Sequence, residues 1–115
     1  MRVLALDVGS SSTRACLYDA RGHDAGGAAQ RKYEARLGRD GSAELDPDEL
    51  VAAARAVLDE AGSGHDALGI SCFMHSLLLL DGNDRPLTPL LLWQRCGQSC
   101  FATCTRRTSG LGYVC

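Results

Sequence analysis

VLALDVGSSSTRACLYD, residues 3–19, decides the fold reading, because it parses into two short strands joined by a polar turn containing one glycine. Val3, Leu4, Ala5, Leu6 and Val8 form a nearly continuous apolar run, the pattern of a strand covered on both faces, with one acid, Asp7, near its end. Gly9 removes side-chain bulk from the turn, Ser10, Ser11 and Ser12 supply three successive hydroxyls, and Arg14 follows on the return strand. Hydroxyls, turn amides, a cation and a carboxylate suit a magnesium-bound polyphosphate. Amides and hydroxyls donate to phosphate oxygens, Arg14 offsets their charge, and Asp7 holds a hydrated metal that binds through few carboxylates and several waters. A plain hairpin with a serine-rich turn has the same outline, so the stretch alone leaves both readings open.

Working outward, the chain of 115 residues has room for one modest core, one domain or part of a larger one. A formal charge of -2 and a pI near 5.8 give no basis for nucleic acid or an acidic membrane surface as partner. After Met1 and Arg2 the sequence passes straight into strand pattern and is interrupted by Asp7, unlike a secretory signal. The apolar run Leu77 to Leu80 is far short of a membrane span. These features predict a soluble cytoplasmic protein.

The return strand runs from Thr13 to Tyr18 and gives way to a turn at Asp19 to Gly22, with a third strand expected around Ala28 to Tyr33. His23 belongs to that polar turn and reads as a solvated loop residue. Leu37 to Glu44 shows no periodicity and reads as a loop. A helix is then expected over Pro47 to Ala61. Asp46 can cap it, Pro47 suits its first position, and Glu49 stands three after the cap. Leu50, Ala53, Ala54, Val57, Leu58 and Ala61 recur at three- and four-residue spacing, a single apolar stripe that predicts packing on the sheet.

Strand pattern returns from Ala67 through Phe73 and again from Leu77 to Leu80. A turn follows at Asp81 to Asp84, and an apolar run closes at Leu90 to Trp93. His75 interrupts two apolar runs, either as a satisfied core histidine or as a ligand.

Two motifs carry a resemblance to a known family. Asp7, Gly9, Ser10, Ser11, Ser12 and Arg14 fit D-x-G-[ST]-[ST]-[ST]-x-[KR], the first phosphate loop of the actin, Hsp70 and sugar-kinase superfamily, which is not a Walker loop. GISCFMHSLLLLDGNDRPLTPLLLW, residues 69–93, resembles the FGGY-type carbohydrate kinases, in which one strand ends in Met-His, a second in D-x-x-G-R-P or a close variant, and a third reaches a Trp. Here Asn83 and Asp84 stand where the usual order puts glycine directly before the arginine. With Glu44, Asp46 and Pro47 matching E-x-D-P at the helix start, the resemblance runs colinearly from Met1 to Trp93, nearest to the gluconokinase branch and also similar to xylulokinases.

The resemblance implies an incomplete α/β, RNase H-like (actin-like ATPase) domain: a mixed sheet that opens with antiparallel hairpin strands, plus a covering helix. It implies transfer of the ATP γ-phosphate to a hydroxyl of a sugar or sugar acid, with ATP and Mg2+ as cofactors. On this carry-over Asp7, Gly9, Ser10, Ser11, Ser12 and Arg14 bind the nucleotide phosphates, and Asp7 holds magnesium through water. Met74, His75 and Trp93 line the substrate side, His75 by hydrogen bonding and Trp93 by packing on the carbon skeleton. Gluconate is the preferred acceptor. The catalytic base is expected in sequence outside this chain, so the 115 residues alone are expected to be inactive.

After Trp93 the pattern breaks. The family continues as W-x-D-x-R, whereas this chain reads Gln94, Arg95, Cys96, Gly97, Gln98, without the acid. Residues 95–115 hold four of six cysteines, three arginines and no acid, against nine basic and fourteen acidic side chains in residues 1–94. The expected division is therefore 1–94, the N-terminal part of a kinase domain, and 95–115, a Cys-rich tail outside the family pattern, read out of frame. An alternative class is a small non-enzymatic nucleotide- or metal-binding protein, with Cys96, Cys100 and Cys104 on one helix face. Against it, the tail has no C-x-x-C pair and no histidine.

Overall fold

The computed structural model describes residues 1–39 and 41–92, together with the backbone of a strand at 113–114. Trp93 and the cysteines Cys96, Cys100, Cys104 and Cys115 lie outside the described residues. The chain divides into two compact units, Met1–Glu34 with Asp48–Phe73, and Ala35–Pro47 with Met74–Cys115.

In the first unit β1 (Val3–Val8) and β2 (Ser12–Tyr18) form the expected hairpin, with Leu6 opposite Ala15 and Asp7 opposite Arg14. β3 (Ala29–Lys32) adds antiparallel to β2, close to the bounds read from sequence, and β6 (Ala67–Cys72) adds parallel to β1. The order β3-β2-β1-β6 is thus a mixed sheet. A parallel neighbour needs a long crossover, and the β1-to-β6 connection contains the helix α1 (Pro47–Ala61), at the bounds its spacing predicts. Asp48 and Glu49 in its first turn complement the positive end of the helix dipole.

Leu4, Leu6, Ala15, Leu17 and Ala29 on one sheet face pack with Val57 and Ala61 of the helix, with Ala54 and Leu58 partly buried beside them, so the C-terminal half of the predicted stripe joins the core while Leu50 and Ala53 stay half-buried outside it. The expectation of a first strand covered on both faces is corrected: burial alternates along β1, with Leu4 and Leu6 buried and Val8 partly buried on the core face, and Val3 and Ala5 half-buried on the other. A strand with one face against a helix shows this period of two, and small apolar residues on its other face extend the run without being deeply buried. Leu68 and Ile70 of β6 are exposed.

In the second unit β4 (Arg36–Leu37), β5 (Ala43–Leu45), β7 (Ser76–Leu79), β8 (Leu90–Leu92) and β9 (Tyr113–Val114) form a sheet in the order β4-β5-β8-β7-β9. The expected loop over Leu37 to Glu44 is corrected as well. It is a hairpin, with Arg36 opposite Glu44 and Leu37 opposite Ala43, closed by a bond from the Gly38 N–H to the Ser42 carbonyl. Two paired positions are too few to print an alternation in the sequence, and partners from β8 complete the strand order.

Candidate functional site

The β1–β2 hairpin places the sequence-predicted phosphate residues together. Because Asp7 and Arg14 are direct cross-strand partners, their side chains share a face, and Arg14 Nη2 lies 3.6 Å from Asp7 Oδ2. Both side chains are more than half exposed, so the pair adds little stability and leaves two opposite charges available to a ligand. The Thr13 hydroxyl, fully buried, donates to the Asp7 carbonyl at 3.2 Å and pins the end of β1.

Between the strands the turn is closed by a bond from the Gly9 N–H to the Ser12 carbonyl at 2.9 Å. Gly9 is needed for that approach: a Cβ there meets the Ser12 carbonyl oxygen at 3.0 Å. Ser11 is exposed and Ser10 half-buried, and the side chains of both make no hydrogen bond among the described residues. Ser12 differs. It is 8% exposed, and its hydroxyl accepts from Gln30 Nε2 at 3.2 Å while retaining its own proton to donate.

Four residues that sequence reasoning missed belong to this end of the sheet. Cross-strand register sets Gln30, Arg14, Asp7 and Ser71 in one row on one face, two of them new. Ser71 had a signal, a lone hydroxyl in an apolar strand like the lone acid in β1. Thr13 is the third. Tyr33, one residue past β3, is the fourth: it is buried, its hydroxyl donates to the Gly9 carbonyl, and its N–H donates to the Ser11 carbonyl at 3.1 Å. Burial first, and the nearby Asp7 charge second, push the Tyr33 phenol above its ordinary pKa.

The predicted substrate residues fall in the second unit. Met74 is 71% exposed, and His75 is exposed with φ 60, a left-handed conformation uncommon for non-glycine residues though favoured by His relative to most. Such a conformation costs about 1–2 kcal/mol, and functional sites are where strain of this kind collects. Trp93, the third substrate residue, lies outside the described residues. Among the described residues no group of three or more His, Cys, Asp or Glu side chains is placed to hold a metal. No helix among them is long and apolar enough to cross a membrane.

Comparison with known proteins decides the family. Residues 2–109 match the N-terminal domain of the FGGY family of carbohydrate kinases. The chain belongs to this family. A glycerol kinase from Aromatoleum aromaticum is 36% identical over 100 residues, 80% of this chain and 20% of that protein. A xylulose kinase from Lactococcus lactis is 32% identical over 98 residues, 79% of this chain and 19% of that protein. The crystal structure of a gluconate kinase from Lactobacillus acidophilus superposes with a TM-score of 0.75 at 28% identity, covering 92% of this chain and 22% of that one. The fold is that of the actin-like sugar kinases, as the mixed sheet and covering helix indicate. This FGGY chain spans about a fifth of the length of these relatives.

Proposed function

We propose that the full-length protein transfers the γ-phosphate of ATP to a hydroxyl of a sugar or sugar acid, with gluconate the preferred acceptor, in the cytoplasm. The observation that carries this reading is the Asp7–Arg14 pair, 3.6 Å apart beside a turn whose Ser10 and Ser11 hydroxyls take no partner among the described residues. The donor set fits a magnesium-bound polyphosphate: one exposed carboxylate, one exposed guanidinium and free hydroxyls within one hairpin. Asp7 would hold the metal through its waters. Ser10 and Ser11 donate to phosphate oxygens, Ser12 adds its remaining proton, Gly9 keeps the turn low, and Arg14 neutralises charge. Magnesium held there would offset the negative charge that develops on the phosphate oxygens during transfer. None of these residues is assigned as the base, which the proposal places outside this chain.

Met74, His75 and Trp93 are proposed to contact the acceptor, His75 through a hydroxyl or carboxylate and Trp93 through the carbon skeleton. The exposure of Met74 and the left-handed backbone of His75 support that assignment. Gluconate is favoured by the FMHS and LTPLLLW segments, although the relatives act by name on glycerol, xylulose and gluconate. The division at residue 94 is also a proposal. The missing acid after Trp93 favours it, and the family match reaching residue 109 weighs against it. Translating the DNA beyond codon 94 in all three frames decides: the frameshift reading fails when neither alternative frame yields D-x-R followed by kinase-like sequence.

The function is tested with Asp7→Ala in the full-length protein. Turnover is expected to fall by roughly a hundredfold or more, with an unchanged melting temperature, because an exposed charge in transition-state stabilisation is lost rather than a packing group. Wild-type turnover in that variant removes the role assigned to Asp7.

A further inference from the structure

We infer that Tyr33 is a positioning residue for the phosphate loop, holding the Gly9–Ser12 turn from behind so that the Ser10 N–H faces the polyphosphate. The inference rests on the phosphate reading of that loop. A residue 24 positions downstream of Gly9 grips the turn at two points, its hydroxyl on the Gly9 carbonyl and its N–H on the Ser11 carbonyl at 3.1 Å. These carbonyls flank the two residues at the tip. In a trans peptide the C=O and the following N–H point in opposite directions. Drawing the Gly9 carbonyl toward Tyr33 therefore turns the Ser10 N–H away from it, and no described residue accepts that N–H.

Electrostatics favours the same arrangement. Carbonyl oxygens facing a polyphosphate repel it, whereas amide donors attract it, so a loop that binds anions must hold its carbonyls back. Tyr33 does this without adding charge. Its phenol, whose ordinary pKa of 10.0 is pushed higher by burial and the nearby Asp7 carboxylate, is protonated and hence a donor throughout the neutral range. The ring is 5% exposed, so its position is set by packing and not by solvent.

The test compares wild type, Tyr33→Phe and Arg14→Ala in the full-length protein by calorimetric binding of magnesium-ATP, with acceptor KM and melting temperature alongside. Tyr33→Phe keeps the ring and removes the one donor. It is expected to weaken magnesium-ATP binding roughly two- to tenfold, the worth of one hydrogen bond, with acceptor KM unchanged. A residue that serves packing alone moves the melting temperature and leaves the Kd of the folded protein where it was, and that result overturns the inference. Arg14→Ala separates the two levels. When Arg14→Ala weakens binding and Tyr33→Phe does not, only the role of Tyr33 falls. When Arg14→Ala leaves binding intact, or wild type binds no magnesium-ATP, the phosphate reading falls and the role of Tyr33 with it.

Discussion

Replacing Gly27 by alanine tests how the helix is seated on the sheet that carries the phosphate loop. Gly27 lies between β2 and β3 with φ +69, and a Cβ built on it comes within 2.5 Å of the backbone oxygen of Ala61, the last residue of α1. Two costs follow. The left-handed backbone costs an alanine about 1 kcal/mol. The contact is with backbone oxygen and not with the end of a flexible side chain, so the β2–β3 connection or the helix terminus must move, at about 1–3 kcal/mol as in overpacked cores. Ala61 is itself a buried member of the core, so that movement is transmitted to its packing. The adjacent Gly26 supplies the control, because it also has a positive φ, +93, but a Cβ there meets nothing within 4 Å. Urea melts of the full-length protein should therefore show Gly26→Ala destabilised by about 1 kcal/mol and Gly27→Ala by about 2–4 kcal/mol. Equal losses in the two variants refute the contact argument, since backbone conformation alone would then account for both.

Three further outcomes are expected. His75→Ala in the full-length protein should raise the acceptor KM severalfold with little change in the KM for ATP, and unchanged acceptor kinetics with a lowered melting temperature would assign His75 to structure instead. The Asp19 and Asp81 turns repeat one geometry: Asp19 Oδ1 accepts from the Arg21 and His23 amides, Asp81 Oδ1 from those of Asn83 and Arg85, and Asp84 at φ 60 occupies the place of Gly22 at φ 80. Asp84→Gly should therefore stay within about 0.5 kcal/mol of wild type while Asp84→Ala loses about 1 kcal/mol, as read by denaturant melts, and equal losses in the two would count against a backbone cause. Tyr33 ionises above its ordinary value of 10.0 in the folded chain, so its contribution is full below pH 10.0 and is lost as pH rises through the folded pKa. Stability measured from neutral to strongly alkaline pH should fall less steeply in Tyr33→Phe than in wild type, and identical slopes would show that Tyr33 is not the group responsible.

The local elements were legible in the sequence because each is specified by neighbours a few positions apart. Asp46, Pro47 and Glu49 with the stripe through Val57 and Ala61 set the helix at Pro47–Ala61, and the D-x-G-S-S-S-x-R run announced the hairpin and its turn. The position of Asp84 was legible too, as the odd residue where the family puts glycine before arginine, but only its φ of 60 gives the reason: the turn there is left-handed. Tertiary structure decided what depends on register. Asp7 meets Arg14 because Val8 pairs with Thr13 across the hairpin, and Gln30 and Ser71 join their row through two further strands, one parallel and far along the chain. Tyr33 reaches Gly9 across 24 positions, a contact with no periodic trace in the sequence, since one aromatic beyond a short polar strand reads the same whether it faces solvent or a turn. The β4–β5 hairpin was hidden for the same reason, its paired positions being too few to alternate. Sequence patterns of period 2 or 3.6 report which face of an element is apolar; which residues meet across elements follows from strand register and packing, and those are fixed only when the whole set of partners is in place.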